Sequence, residues 1–258
     1  MIGEGAKPLQ SRNNGNDMLE EYIAVDLETT GLSPKKDCII EIGAAHVQNG
    51  KSVGRFSTLI KPKCMIPERI VTLTGITEQM TADAPTFQEL LPELMAFFGE
   101  LPLVGHNVLF DYSFLKKEFV NRGLPFEKYG VDTLKLCRQF LPAEQKKNLA
   151  EVCSCLHIAP ANYHRALADA ESAGYVLEVL KNRYMAGHVE AFTPKLLNFT
   201  IKREHKIQIR QKQYLIDFAK WHKIDVPVDI DALTRSEASR LLDQWIGMYG
   251  RIAGHPKR

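Results

Sequence analysis

The order of hydrophobic patterns along this chain predicts an α/β fold: a mixed sheet flanked by helices, with a small helical appendage near the C-terminal end. Three observations carry the prediction. β-Rich runs come first, separated by turn chemistry. Helical patterns follow, interrupted by one short apolar run. Past residue 186 the composition turns basic, and two amphipathic segments close the sequence. At 258 residues, 45% apolar and 25% charged, the chain has the mass for one large α/β domain or for a domain plus an appendage. A net charge of +2 gives it no global basic field, so any surface for a polyanion must be local.

Residues 1–19 are rich in Gly and Asn, lack periodicity, and read as a flexible tail. Tyr22–Leu27, Ile39–Val47 and Arg55–Ile60 read as strands, set apart by Ser33-Pro34 and Asn49-Gly50. Asn-Gly is a strong hairpin signal, so the opening region is predicted to be an antiparallel meander. Thr86–Phe98 then places Phe87, Leu90, Leu91, Leu94 and Phe97 at helical spacing behind a Thr86/Glu89 capping box. Leu101–Val104 is a short strand running into Gly105-His106-Asn107, and Phe110–Asn121 is a helix closed by Arg122-Gly123. Leu134–Phe140, Leu149–Leu156 and Ala166–Met185 supply three more helices. In 186–207, Lys195, Lys202, Arg203 and Lys206 meet few acids and Pro194 breaks helical continuity, which reads as a basic linker. Within 208–258, Gln208–Trp221 and Ser236–Ile246 form two amphipathic helices, the second opened by a Thr234/Glu237 capping box.

Five cysteines (Cys38, Cys64, Cys137, Cys153, Cys155) make an odd count without framework spacing. No apolar run is long enough to span a bilayer and the opening stretch is polar, so a reducing cytoplasm and no membrane association are expected. Cys153-Ser-Cys155-Leu-His157 lacks a second ligand pair and reads as buried thiols on a helix rather than a zinc site.

The most informative residues are Asp26 and Glu28, one residue apart at the end of an apolar strand. Strand side chains alternate, so both carboxylates project from one face while Val25 and Leu27 take the other. Like charges so placed repel unless a cation lies between them, and oxygen-only donors favour Mg²⁺ or Mn²⁺. Two further clusters interrupt apolar elements. Asp111 follows His106-Asn107 near a helix start, where a capping carboxylate is also expected. Asp169 sits among Ala166, Leu167, Ala168 and Ala170, where an inward carboxylate is costly without a cation or hydrogen bonds; His164 precedes it in a loop. Alone, Asp111 reads as a cap and His164 as structural. Together, four carboxylates and one imidazole are the parts for phosphodiester hydrolysis at two ions roughly 3.5–4 Å apart, with a base titrating near neutrality.

These residues carry a family resemblance. Asp26-Leu-Glu28-Thr-Thr-Gly31, His106-Asn107-Val-Leu-Phe-Asp111 and His164-Arg-Ala-Leu-Ala-Asp169 resemble, in order and spacing, the three motifs of the DEDDh family of 3′–5′ exonucleases. Ile66-Pro67, Leu73-Thr74-Gly75-Ile76-Thr77, Ala84-Pro85-Thr86-Phe87 and Asp132-Thr133-Leu134 look like the exonuclease module of PolC-type polymerases. The resemblance covers about residues 20–182 and implies a ribonuclease H-like exonuclease domain over 20–185. By analogy Asp26, Glu28 and Asp169 hold the first divalent ion, Asp26 bridges to a second, Asp111 supports the second, and His164 is the general base. Arg165, where the tyrosine variant of the family needs Tyr, assigns the histidine subtype.

The reading implies 3′-end hydrolysis of DNA, single-stranded or frayed, to nucleoside 5′-monophosphates, with Mg²⁺ or Mn²⁺ as cofactors and nucleic acid as partner. RNA trimming stays open, as does a non-catalytic accessory role beside a polymerase or replication and repair complex. Thr29, Thr30 and Gly31 are expected to let backbone amides approach the terminal nucleotide, and Asn107 to touch its sugar. For Phe110, base stacking and core packing stand equal. The C-terminal helices read either as a solvated charged cap, slightly favoured, or as a track for a phosphate backbone.

Overall fold

A computed structural model describes residues 19–158, 165–226 and 229–252. All but the last residue of the expected N-terminal tail lies outside them, as does His164. Strand β1 (Glu21–Thr29) pairs antiparallel with β2 (Ile39–Gln48), and β2 with β3 (Lys51–Leu59). Asn49 and Gly50 turn β2 into β3 with φ of 50° and 73°. Positive φ at both positions is what a tight hairpin needs, and these two residue types tolerate it best. Thus the meander forms as its sequence predicts, with β3 starting earlier than Arg55.

Two short helices, α1 (Glu68–Thr74) and α2 (Glu78–Thr81), lead to α3 (Phe87–Phe98), whose Thr86/Glu89 capping box is made. Next come β4 (Leu103–Gly105), α4 (Val108–Asn121), β5 (Tyr129–Asp132), α5 (Thr133–Phe140), α6 (Leu149–Cys155) and α7 (Ala166–Tyr184). The segment expected as a linker holds a short helix, α8 (Val189–Phe192), and strand β6 (Lys195–Leu196), which pairs with β5. Leu197 and Phe199 continue into the core, so apolar anchors keep this stretch on the sheet despite its charge. The six strands run in the order β3-β2-β1-β4-β5-β6, with β1, β4 and β5 mutually parallel.

Alternation along β1 divides the core in two. Ile23, Val25 and Leu27 join Leu94, Leu115 and Phe119 beneath α3 and α4. Tyr22 and Ala24 join Val176, Leu177 and Leu180 beneath α7. Asp26 and Glu28 continue this second face, beyond its apolar stretch.

A third apolar cluster lies between α9 (Ile209–His222) and α10 (Arg235–Tyr249), built on Leu215, Phe218, Leu241, Leu242 and Trp245. The Thr234/Glu237 capping box is made here too. Glu237 is buried beside Lys117 of α4 at 3.6 Å and Lys63 at 3.5 Å, and Lys63 donates to the Ala232 carbonyl at 2.8 Å. Thr234 Oγ1 donates to Glu204, whose amide donates to Asn121 at the end of α4.

Cysteine chemistry differs from the five thiols expected. Cys38 and Cys64 form a disulfide between the β1–β2 and β3–α1 connections. Cys153 is buried, but Cys155 is exposed, so only one of that pair is the buried thiol the sequence suggests. Among the described residues no helix is long and apolar enough to cross a membrane.

Candidate metal centre and active site

β1 outruns its parallel neighbour: β4 ends at Gly105, beside the Val25 carbonyl. The Leu27 amide, past that end, would lack a ladder partner. Asp111, one turn into α4, accepts from it at 3.0 Å. A buried backbone donor is satisfied and the carboxylate is fixed at the end of β1 by one hydrogen bond. The helix begins at Val108, two residues before its expected start, because Asn107 enters the left-handed region (φ 78°) and supplies the reversal.

On the other side of β1, α7 brings in Asp169. One carboxylate oxygen each of Asp26, Glu28 and Asp169 lies within 4.8 Å of the others. Two features of β2 that sequence reasoning passed over permit this approach. Gly43 stands opposite Asp26, and a Cβ there would lie 1.9 Å from the Leu167 nitrogen and 2.0 Å from the Ala166 carbonyl carbon. Only glycine lets the start of α7 press onto the strand. Glu41, opposite Glu28 and 1% exposed, accepts from the Ala166 amide at 3.2 Å and from Arg165 at 2.8 Å. It caps a helix lying far along the chain, because Arg165 at the N-cap position makes no cap of its own. A glycine inside an apolar strand and a glutamate between Ile40 and Ile42 were the signals that could have found them.

Crowded carboxylates resist ionisation. Burial, then the charges of Asp111, Asp169, Glu28 and Glu41, hold Asp26 well above the ordinary carboxylate range. Burial, Asp169 and Glu41 push Glu28 up to about 7, with Arg165 opposing. Burial likewise raises Asp111 against the lowering effect of its backbone hydrogen bonds. Clustered oxygen donors carrying this much mutual repulsion fit a hard divalent cation.

The other expected site residues take varied positions. Thr29 and Thr30 are buried, and their hydroxyls serve the chain itself: Thr29 donates to the Gly31 carbonyl at 2.7 Å, and Thr30 accepts from the Cys38 amide at 2.9 Å. The Thr30 amide donates to the Cys38 carbonyl, so it is not free to meet a nucleotide. Gly31 faces the Asp37 carboxylate at a distance no Cβ would permit. Asn107 is exposed, and its amide donates to Asp132 at 3.0 Å. Phe110 is half-buried against the first core, its ring centroid 5.0 Å from that of Phe114. Leu32, which carries no signal in the sequence motifs, is 80% exposed directly after Gly31. His106 is held between Thr133 Oγ1 at 3.0 Å and the Lys147 carbonyl at 2.6 Å, and burial lowers its pKa.

The family profile described as Exonuclease matches residues 23–177, and the chain belongs to this exonuclease family. Within it the chain is 38% identical over 177 residues to a DNA polymerase III PolC-type of Clostridium perfringens, a match covering 69% of this chain and 12% of that protein. Another PolC-type relative, from Oceanobacillus iheyensis, is matched over 13% of its length, so the chain spans about an eighth of these polymerases. A DNA polymerase III subunit epsilon of Aquifex aeolicus is 39% identical over 165 residues, 64% of this chain and 81% of that one. Among solved structures, Exonuclease X in complex with 5′ overhanging duplex DNA is 27% identical with a TM-score of 0.52, covering 63% of this chain and 92% of that chain. Exonuclease I of E. coli in complex with a dT13 oligonucleotide shares the fold at 19% identity and a TM-score of 0.60, over 67% and 44% of the two chains.

Proposed function

We propose that this chain is a metal-dependent 3′–5′ exonuclease that hydrolyses the terminal phosphodiester of a DNA strand and releases nucleoside 5′-monophosphates. The observation that carries it is the meeting of Asp26, Glu28 and Asp169 within 4.8 Å, with Asp111 fixed on the same strand end. Two divalent ions, Mg²⁺ or Mn²⁺, are the cofactors in this reading, held by Asp26, Glu28 and Asp169 with Asp111 in support. When bound, such ions supply Lewis-acid polarisation of the phosphoryl group and offset its negative charge.

The chain's own contribution is placement. Asp26 and Glu28 stand on a strand paired with β2 along its whole length, so their separation is fixed before any ligand arrives. Asp169 is held by a helix start clamped to Glu41, and Asp111 by the Leu27 amide. His164, one residue before the clamped Arg165, takes the proton of the attacking water as general base. Leu32, Asn107 and Phe110 offer apolar and polar surface to the terminal nucleotide, with Thr29, Thr30 and Gly31 shaping the wall behind it. Similarity to polymerase III proteins supports a polymerase or replication and repair complex as the partner class.

The test is Mn²⁺-dependent hydrolysis of the nitrophenyl ester of thymidine 5′-monophosphate by wild type and by Asp26→Ala. Turnover is expected in the first and a loss of at least about a hundredfold in the second. Equal rates in the two proteins, or no turnover in wild type, would refute the assignment. Digestion of DNA labelled at either end, beside RNA of the same sequence, reads polarity and sugar preference.

A further inference from the structure

In the C-terminal hairpin, α9 and α10 frame a groove of about 500 Å³. Arg210, Arg235 and Arg251 line it, all exposed, and among the described residues their side chains enter no ion pair or hydrogen bond. Tyr214 and Ile246, both half-buried, line it as well, and its one acid is Asp243. The groove is braced: Gln211, itself buried, donates to the Arg235 carbonyl at 3.1 Å and to Ser239 Oγ at 2.9 Å, tying the two helices together. Three cations around an aromatic and an aliphatic side chain suit a ligand with anions along one edge and flat apolar groups along the other. A solvated charged face has no need of a braced concavity with a ring in its wall.

We propose that this groove binds single-stranded nucleic acid, its arginines meeting successive phosphates and Tyr214 a base, so that the module holds the strand whose end the acids process. The proposal rests on the exonuclease reading for its choice of ligand. It gains from how the module is mounted, since Glu237 and Asn121 tie α10 to the distal half of α4, the helix whose first turn carries Asp111. From Asp111 to Lys117 and Asn121 is about 9 to 15 Å at 1.5 Å per residue. A strand long enough to engage the groove and the acids together gains a second hold, which raises the effective concentration of its end at the first.

The experiment measures binding of labelled dT20 and dT4 to the full chain in EDTA, so that no hydrolysis is needed and failure of the catalytic reading cannot mimic failure of this one. Arg210→Ala, Arg235→Ala and Arg251→Ala combined should weaken dT20 at least about tenfold near 0.1 M salt. Its log–log salt slope should fall by about 2, at roughly 0.7 for each phosphate left without its arginine. The preference for dT20 over dT4 should collapse, while thermal unfolding keeps its midpoint. Asp243→Asn should act oppositely and tighten dT20, a gain that damage to the fold would not produce. An unchanged affinity and salt slope in the triple variant, or no tightening in Asp243→Asn, overturns the proposal.

Discussion

Gly43 and Glu41 show how much of a carboxylate cluster is decided by residues that carry no chemistry. Gly43→Ala sets a methyl carbon against the backbone of Ala166 and Leu167, so α7 must shift or the strand must bend. Overpacking of this kind costs about 1–3 kcal/mol. A displacement of about 1 Å at a catalytic group costs on the order of a hundredfold in rate. Urea unfolding and ester hydrolysis should report both losses together. Glu41→Ala strips the Ala166 amide and Arg165 of their acceptor and is expected to cost about 2 kcal/mol, whereas Glu41→Gln, which keeps a carbonyl oxygen for the amide, should cost less. The acids themselves were legible because carboxylates interrupt apolar runs at Asp26, Glu28 and Asp169. Their supports were not, since a glycine and a buried glutamate acquire meaning only once a helix is seen lying across them. The Thr30 amide misled for a related reason: its partner, Cys38, sits across a turn whose geometry local sequence does not state.

Titration extends the same point. Glu28 has a folded pKa of about 7 against roughly 4.5 when unfolded, so in metal-free protein its contribution to stability is full below about pH 4.5 and lost as pH rises through 7. Bound cations need the ionised form and reverse the trend. The rise in unfolding temperature on adding Mn²⁺ should therefore be larger at pH 8 than at pH 5.5. Equal rises at the two pH values would count against carboxylates as the ligands.

Among the elements, α4 carries the most. Its proximal turn holds Asp111. Further along, Lys117 lies 3.1 Å from Glu118, which Arg122 meets at 2.6 Å. Burial opposes ionisation of Glu118, but Lys117, Arg122 and Lys63 outweigh it and bring its pKa down to about 2. A depressed acid stabilises above its unfolded pKa and loses that contribution as pH falls, so Glu118 should cost the fold on the order of 3 kcal/mol between about pH 4.5 and 2. In Glu118→Gln, a urea-unfolding series should show a flatter acid limb and lower stability at neutrality. The longer elements were readable: α3 by its period and capping box, α4 by its pattern and its Arg122-Gly123 close, α7 by its helical pattern, and the β2–β3 hairpin by Asn49-Gly50. The two-to-four-residue elements β5, β6, α2 and α8 were not. Such lengths complete barely one period, and β6 exists through its pairing with β5 rather than through any preference of Lys195-Leu196.

In the whole molecule, the C-terminal hairpin owns a separate apolar cluster yet meets the nuclease through charge. Its two helices and its second capping box were legible in the residues, because both signals are local. The docking was not, since Glu237 of that capping box also faces Lys63 and Lys117 across the boundary. Lys117→Met should leave Glu237 short of a partner and loosen the hairpin before the sheet opens, visible as faster amide exchange in α9 and α10 than in β1 and β2.

Anyone wishing to simplify this protein by trimming it near residue 200 would be sawing through a joint. Lys117, 2% exposed at its side chain, would keep Glu118 alone for company, and the strut that ends in Asp111 would meet water on a side shaped for a neighbour. Poor activity in such a fragment would speak of a missing buttress as readily as of a weaker grip on substrate, and single side-chain exchanges on the intact chain avoid that ambiguity.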